Sequence, residues 1–491
     1  MHHRIDLIRI ATEAMQEREL RTGFSPQALQ ELQAIQQPAQ ISAPGQGHAA
    51  PVADLRNLPW CSIDNDDSLD LDQLSCIEAQ ADGRWQVRVA VADVDALVKK
   101  GSALDQQAQV NGATVYTSAC IFPMLPERLS TDLCSLNAAA DRLALVTCMT
   151  FSSAGQLEHY ALSRALVRNQ AKLAYDAVSA WLGGDAELPP AAAQVPGMDQ
   201  QLRQQDQLAQ QLRLLRRGKG SLELETFAPR AEFSGEKVVA IRQQVQNRAR
   251  QLIEELMVAT NQCNARFLQK SGASAIRRVV RTPERWPALV ALARRYGELL
   301  PAEPDGPALE AFLARRHQAD PLRFADLSLV VVKLLGSGEY VVEVPGQEPI
   351  GHFGLALRDY AHSTAPNRRF PDLVPGRLLK AALAGLPAPY STHELAALAQ
   401  HCTRQEDAVR KIERRMRKSD AALYLENRIG EEFDAIVTGN SLKGLWVRLL
   451  EPPIEGKLQA SSAPPVGTAL RVALVATDVE RGFIDFERVT A

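Results

Sequence analysis

The sequence predicts an α+β multidomain protein of three parts: an N-terminal helical segment (1–50), a large mixed α/β domain (51–428) and a C-terminal all-β five-stranded barrel (429–491). Three observations predict this division. A polar stretch rich in Pro, Ala and Gly, "QQPAQISAPGQGHAAP" (36–51), separates the first helices from the rest as a linker. Residues 52–428 then continue without a comparable break, strand patterns giving way to long helical ones. After Gly430 the pattern changes to short alternating segments.

Composition narrows the class. A chain of 491 residues is too long for one ordinary core, and 46% hydrophobic with 23% charged residues is ordinary for a globular protein. The net charge of −3 says nothing as a sum, because a nucleic-acid groove can be basic while the total is neutral. The seven cysteines are scattered and form no CxxC pair, which argues against a disulfide framework or a thiolate zinc site and favours a reduced, cytoplasmic setting. No histidine pair has HExxH spacing. The amino terminus is charged and helix-patterned, not a secretory signal, and apolar runs such as "LSLVVVKLLG" are too short to cross a bilayer, so no membrane is expected.

The elements follow in order. Residues 4–36 read as two helices. The second has Ser25 as N-cap, Pro26 at its first position and Leu29, Leu32 and Ile35 on one face. The pair is expected to pack as a helical hairpin, with a helix-turn-helix DNA reader as the alternative. "DQLSCIEA" and "RWQVRVAV" flank "QADG", a hairpin signal. "LGGDAELPPAAAQVPG" (182–197) reads as a surface excursion inside the large domain. A helix over 247–270 aligns Leu252, Leu256, Ala259, Cys263 and Phe267 and closes at Gly272; another spans about 395–428 and ends at Gly430. The five final segments suit a closed barrel such as an OB-fold, which often binds single-stranded nucleic acid; a barrel serving only as a spacer is the bland reading.

One stretch demands chemistry. "CSIDNDDSLDLDQLSC" (61–76) crowds Asp64, Asp66, Asp67, Asp70 and Asp72 together, and such carboxylates repel unless something compensates them. An EF-hand reading fails: counted from Asp64, the sixth position is Leu69 and the twelfth Ser75, where glycine and glutamate are needed. Asp70 and Asp72 share one face of an extended segment, and Asp64 can return to them if "NDDSL" loops out. Three oxygen ligands without His or Cys favour Mg²⁺, with Mn²⁺ as a substitute, and such ions serve phosphodiester hydrolysis. An acidic solvated loop is the alternative. Ile63, Leu69, Leu71 and Leu74 argue for an anchored backbone and hence for a site.

Other chemistry is missing. The phosphate loop GxxxxGK[ST] and the GxSxG elbow are absent. Three basic stretches are candidate partners for phosphate: "RLLRRGKG" (213–220), read as a solvated helix end; "YAHSTAPNRRFPD" (360–372), where Arg368 and Arg369 could clamp phosphates as a pair; and "RKIERRMRK" (410–418), where Glu413 and Arg417 could pair along a solvated face.

With these residues in view, "IDNDDSLDLDQL" resembles the acidic signature of the ribonuclease II family. The similarity continues through "VAVADVDALVKKGSALDQQAQVNGATVY", "IFPMLPERLSTDLCSLN", "NRARQLIEELMVATNQCNARFL", "GHFGLALRDYAHSTAPNRRFPDLVPGRLLKA" and "RKIERRMRKSD", in the family's order. The resemblance implies an RNB-type catalytic domain followed by an RNA-binding OB domain. It further implies a metal-dependent, processive 3′→5′ exoribonuclease that releases nucleoside 5′-monophosphates from single-stranded RNA. By the same resemblance Asp64, Asp70 and Asp72 are the metal-binding and catalytic aspartates, and Tyr116 stacks on the 3′-terminal base. Arg368, with Arg369 beside it, holds phosphate, and Glu413 lies at the end of the substrate path. The expected partner is single-stranded RNA and the expected state a monomer. Two departures stand out. The family's fourth acid is Gln73 here, so Asp66 or Asp67 must compensate or metal affinity falls; a catalytically impaired RNA-binding protein is the corresponding alternative. The helical segment 1–36 is also too short for the family's N-terminal RNA-binding barrels.

Overall fold

The computed structural model describes residues 3–41, 50–225, 229–243, 246–441, 444–459 and 464–489; half of the expected linker, 42–49, lies outside the described residues. The chain begins with α1 (Arg4–Gln16) and α2 (Pro26–Ala34). Next come β1 (Val52–Asp54), β2 (Cys61–Asp64), β3 (Gln73–Ala79), β4 (Trp85–Ala92) and α3 (Ala103–Asn111). A small pair, β5 (Val115–Tyr116) and β6 (Ile121–Phe122), precedes β7 (Asp141–Phe151), β8 (Leu157–Arg168) and β9 (Ala171–Ala174). Then follow α4 (Tyr175–Gly183), α5 (Pro190–Ala193), α6 (Met198–Gly218), the hairpin β10 (Pro229–Ser234) and β11 (Lys237–Gln243), and α7 (Arg248–Lys270). After β12 (Ala275–Val279) come α8 (Trp286–Arg295), α9 (Gly306–Ala319), α10 (Pro321–Leu335) and β13 (Glu339–Glu343). The long helices α11 (Phe370–Leu383) and α12 (Thr392–Leu425) lead to β14 (Glu432–Ser441), β15 (Gly444–Leu449), β16 (Glu455–Gln459), β17 (Ala469–Asp478) and β18 (Phe483–Arg488).

Seven strands form one mixed sheet in the order β1-β8-β7-β4-β3-β2-β9, with the two outer pairs parallel and the rest antiparallel. Both faces are covered, which is why the second half of β4, residues 89–92, is an unbroken buried apolar run. Val87, Val89 and Val91 pack with α4, α6 and α7 on one face, while Ala90 and Ala92 pack with α11 and the start of α12 on the other. The hairpin β3–β4 turns at Gly83 where the Asp-Gly signal puts it. Leu252, Leu256 and Cys263 of α7 are fully buried, with Ala259 and Phe267 at the edge of the stripe.

The last five strands close into a barrel, β14-β15-β16-β18-β17, as the five alternating segments predict. Its interior joins α1 and the middle of α12 in one apolar core, and α8, α9 and α10 form a separate helical lobe around Trp286, Phe312 and Phe324.

Two expectations change. The helical hairpin over 4–36 is opened out: α1 buries Leu7, Ile10 and Met15 against α12 and the barrel, whereas α2 packs on α3 through Ala28. Each helix finds a larger apolar partner than the other could offer. The basic stretch 213–220 is not a solvated helix end either, since Arg216 pairs with Glu255 at 2.5 Å and Arg217 with Glu310 at 2.8 Å.

Candidate active site

Three segments meet at one end of the β2–β3 pair. These strands keep a single paired position, Cys61 with Ser75, so residues 65–72 leave the sheet as a loop. The loop is anchored: Leu71 N–H donates to Ser135 Oγ at 3.0 Å, Ser135 Oγ donates to the Leu69 carbonyl at 2.7 Å, and Leu71 and Leu74 are buried. Of the expected apolar anchors, Leu69 alone is exposed.

The second segment is the turn before α11. Asp372 in the first turn of that helix reaches back to accept the Thr364 and Ala365 N–H groups at 2.8 and 2.9 Å, which ties the turn to the helix. The third segment carries Tyr116. It leaves α3 through Gly112, whose φ of +70° suits glycine and whose missing side chain leaves room for Gln405 of α12. Thr114 N–H donates to the Arg368 carbonyl at 2.9 Å and Phe370 N–H to the Gly112 carbonyl at 2.8 Å, fixing this strand beside the turn.

At the junction Asp72, 2% exposed, accepts the Asn367 N–H on Oδ1 at 2.8 Å, and Arg368 Nε lies 3.3 Å from its Oδ2. Burial pushes the Asp72 carboxyl up to about 7, against the pull of Arg368 and the Asn367 N–H and with the push of Asp70 and Asp372. Asp70 Oδ2 accepts the Tyr116 hydroxyl at 2.5 Å. Asp64 ends β2 and accepts the Asn65 N–H at 2.7 Å; burial raises its pKa and Asp70 adds to the rise, whereas Arg368 opposes it. Burial likewise raises the Tyr116 phenol, with Asp70 contributing.

Asp64, Asp70, Asp72, Tyr116 and Arg368 thus act electrostatically on one another. A closed three-ligand cage is not formed, for among the described residues no three His, Cys, Asp or Glu groups converge at metal-ligand spacing. The donor set nevertheless suits a hard cation. All three side chains offer oxygen, and Asp72 Oδ2 is buried without a hydrogen bond. Magnesium is ordinarily held by one or two carboxylates, with water and phosphate filling its sphere.

Four expectations are adjusted by the geometry. Asp66 and Asp67 are exposed on the loop and are not among the strongest charges acting on Asp64 or Asp72, so the geometry does not bring either one in as a fourth acid. Gln73 instead donates its side-chain N–H to the Thr364 carbonyl. The paired clamp of Arg368 and Arg369 is split: Arg369 turns onto Asp372 at 2.7 Å, and Arg368, with a side chain 40% exposed, is left to face the acids. Glu413 does not bond Arg417; its Oε1 accepts the Tyr116 N–H at 3.3 Å, and burial raises its pKa.

Beside the acids a cavity of about 190 Å³ is lined by Asn65, Tyr116, Arg230, Glu413, Arg417 and Asp420, between α12, the 116–118 segment and the start of β10. Asp420 is missing from the sequence reading, although it stands seven residues after Glu413 and so on the same helical face, a signal that could have found it. Burial pushes its carboxyl up to about 7. Asn367 and Thr364 contribute backbone groups, which no side-chain pattern advertises. The barrel offers exposed Phe483, and Trp446 under Lys418 at 5.6 Å.

Comparison with known proteins bears on the family and the fold. An RNB domain matches residues 52–385 and an RNase II-type exonuclease C-terminal S1 domain matches 431–489. Ribonuclease R of Vibrio parahaemolyticus is 31% identical over 478 residues, which cover 89% of this chain and 56% of that protein. The chain therefore spans about half the length of the curated relatives it matches. Mycoplasma genitalium RNase R, solved in complex with ribose methylated single-stranded RNA, superposes with a TM-score of 0.88 at 21% identity, over 99% of this chain and 78% of that one. Yeast Ssd1, a pseudonuclease, superposes at 0.72 with 15% identity, over 95% and 58%. This chain thus shares its fold with an RNA-bound protein and with a pseudonuclease alike.

Proposed function

The chain belongs to the RNB family, and from that premise we propose that it is a metal-dependent, processive 3′→5′ exoribonuclease that hydrolyses single-stranded RNA to nucleoside 5′-monophosphates. The observation that carries the reading is the junction itself: buried Asp72 faces Arg368, with Asp70 and Tyr116 on the adjoining segment. A divalent cation, Mg²⁺ or Mn²⁺, held through oxygens of Asp64, Asp70 and Asp72 would supply Lewis-acid charge at the scissile phosphate. Arg368, partly exposed and oriented by Asp72, holds a phosphate oxygen next to the bond that breaks. The Tyr116 ring lines the cavity and grips the terminal base by its face, without reading sequence. Glu413 fixes the Tyr116 backbone at the far side of the same cavity. Contacts to 2′-hydroxyls select RNA over DNA.

The seven cysteines are free and, among the described residues, no helix is long and apolar enough to cross a membrane. A reducing cytoplasm suits such thiols. A binding-only reading draws support from Gln73, the neutral residue where the family's pattern has a fourth acid. The experiment that separates the two is incubation of a 3′-overhang RNA and its DNA analogue with Mg²⁺, Mn²⁺ or EDTA, with products sized over time. The exonuclease reading expects mononucleotides from RNA alone, released from the 3′ end and only with metal. Intact RNA in all three conditions overturns it.

A further inference from the structure

We infer that Gln73 is a positioning residue of this site, whose side-chain amide holds the turn that presents Asn367 and Arg368 to Asp72. Its effect on rate rests on the exoribonuclease reading; its hold on the turn does not.

Thr364 is the node of that turn. Its N–H goes to Asp372 Oδ1 at 2.8 Å, its hydroxyl accepts from Asn261 Nδ2 at 3.4 Å, and its carbonyl accepts from Gln73 Nε2. Pro366 lies between Thr364 and Asn367 and has no N–H to offer. Asp72 and Gln73 are neighbours at the start of β3, yet both side chains reach this turn, one at Thr364 and the other at Asn367 and Arg368. Two adjacent residues therefore grip the turn at its two ends. An amide can do this because it donates; a carboxylate at position 73 has no proton for the Thr364 carbonyl and would set a further anion next to Asp72. Glutamine here is a working part of a site built with three acids, not the scar of a lost fourth.

The test compares the full chain with Gln73→Met, Gln73→Glu and Gln73→Asp. Methionine keeps length without a donor or a charge, so it carries the test if the acidic variants do not fold, as judged by circular dichroism and Tm. On single-stranded RNA the expected result is a fall in kcat of about tenfold in Gln73→Met, and at least as much in the acidic variants, with KM nearly unchanged. Hydrogen exchange at the Thr364–Arg369 segment quickens. In an Arg368→Ala background Gln73→Met has a much smaller effect on kcat than in the wild-type background, because Gln73 acts largely through the turn that carries Arg368. A rise in kcat in Gln73→Asp, unchanged kinetics and exchange in Gln73→Met, or full additivity with Arg368→Ala overturns the inference. If the wild-type chain cuts no RNA, the exoribonuclease reading fails, and the exchange rates still decide whether Gln73 holds the turn.

Discussion

Arg368 Nε lies 3.3 Å from Asp72 Oδ2, a carboxylate that is 2% exposed and whose other oxygen is bonded to the Asn367 N–H. The pair joins the first block of the RNB domain to one near its end, so the acid loop and the phosphate-facing arginine become one unit only on folding. Burial has a cost for Asp72, visible in its raised pKa, and Arg368 offsets part of it.

The two adjacent arginines therefore separate on mutation. Arg369 pairs with Asp372, whose side chain is fully buried. Arg369→Ala leaves that carboxylate short of its charge partner and is expected to lower stability by about 3 kcal/mol in urea unfolding. Arg368→Ala also takes a partner from a buried carboxylate, Asp72, but the arginine is half-exposed and Asp72 keeps the Asn367 N–H, so the expected loss of stability is smaller than for Arg369→Ala, while kcat on RNA falls by about a hundredfold or more.

Tyr116 offers two separable functions, a ring facing the cavity and a hydroxyl on Asp70. Tyr116→Ala is expected to weaken binding of a short single-stranded RNA by roughly tenfold, the usual worth of one base stack. Tyr116→Phe keeps the ring and is expected to bind like wild type, with kcat altered less than about tenfold. Fluorescence anisotropy and steady-state rates read the two effects apart.

The acid spacing, the strand hairpin, the long helices and the barrel were legible in the sequence because each is a local pattern of period or spacing. Arg368 and Arg369 have the same chemistry and adjacent positions, so composition and charge do not separate them, although the family resemblance names Arg368; the turn into α11 decides which one faces the acids. A hint was present, since Asp372 stands three residues after Arg369 in the first helical turn. The hairpin at 4–36 failed for a tertiary reason: the apolar face of α1 fits equally well on any apolar neighbour, and α12 with the barrel offered more surface. Gln73 read as a loss because its partner, a backbone carbonyl almost at the other end of the domain, leaves no trace in side-chain identity.

Asp420 makes stability depend on pH. Its folded pKa of about 7 stands above the ordinary aspartate value of 3.8, so the native state keeps a proton that the unfolded chain releases. Stability is then fully expressed below about pH 4 for this group and is lost as pH rises through 7. Asp420→Asn removes this group's share of the dependence and leaves that of Asp72. Wild type and variant are expected to have similar Tm near pH 4, with the variant more stable above pH 7 by up to a few kcal/mol. Parallel melting curves across that range would contradict the assignment.

The central claim is that Asp72 serves the cutting of RNA rather than its capture. Asp72→Asn nearly keeps shape and can still meet the Asn367 N–H through its amide oxygen, yet it removes the charge facing Arg368. Measured side by side with Mg²⁺ present, the variant should bind a single-stranded RNA within about threefold of wild type, while hydrolysis falls by about a thousandfold or more. Equal losses of binding and cleavage, or cleavage that persists, would contradict the account.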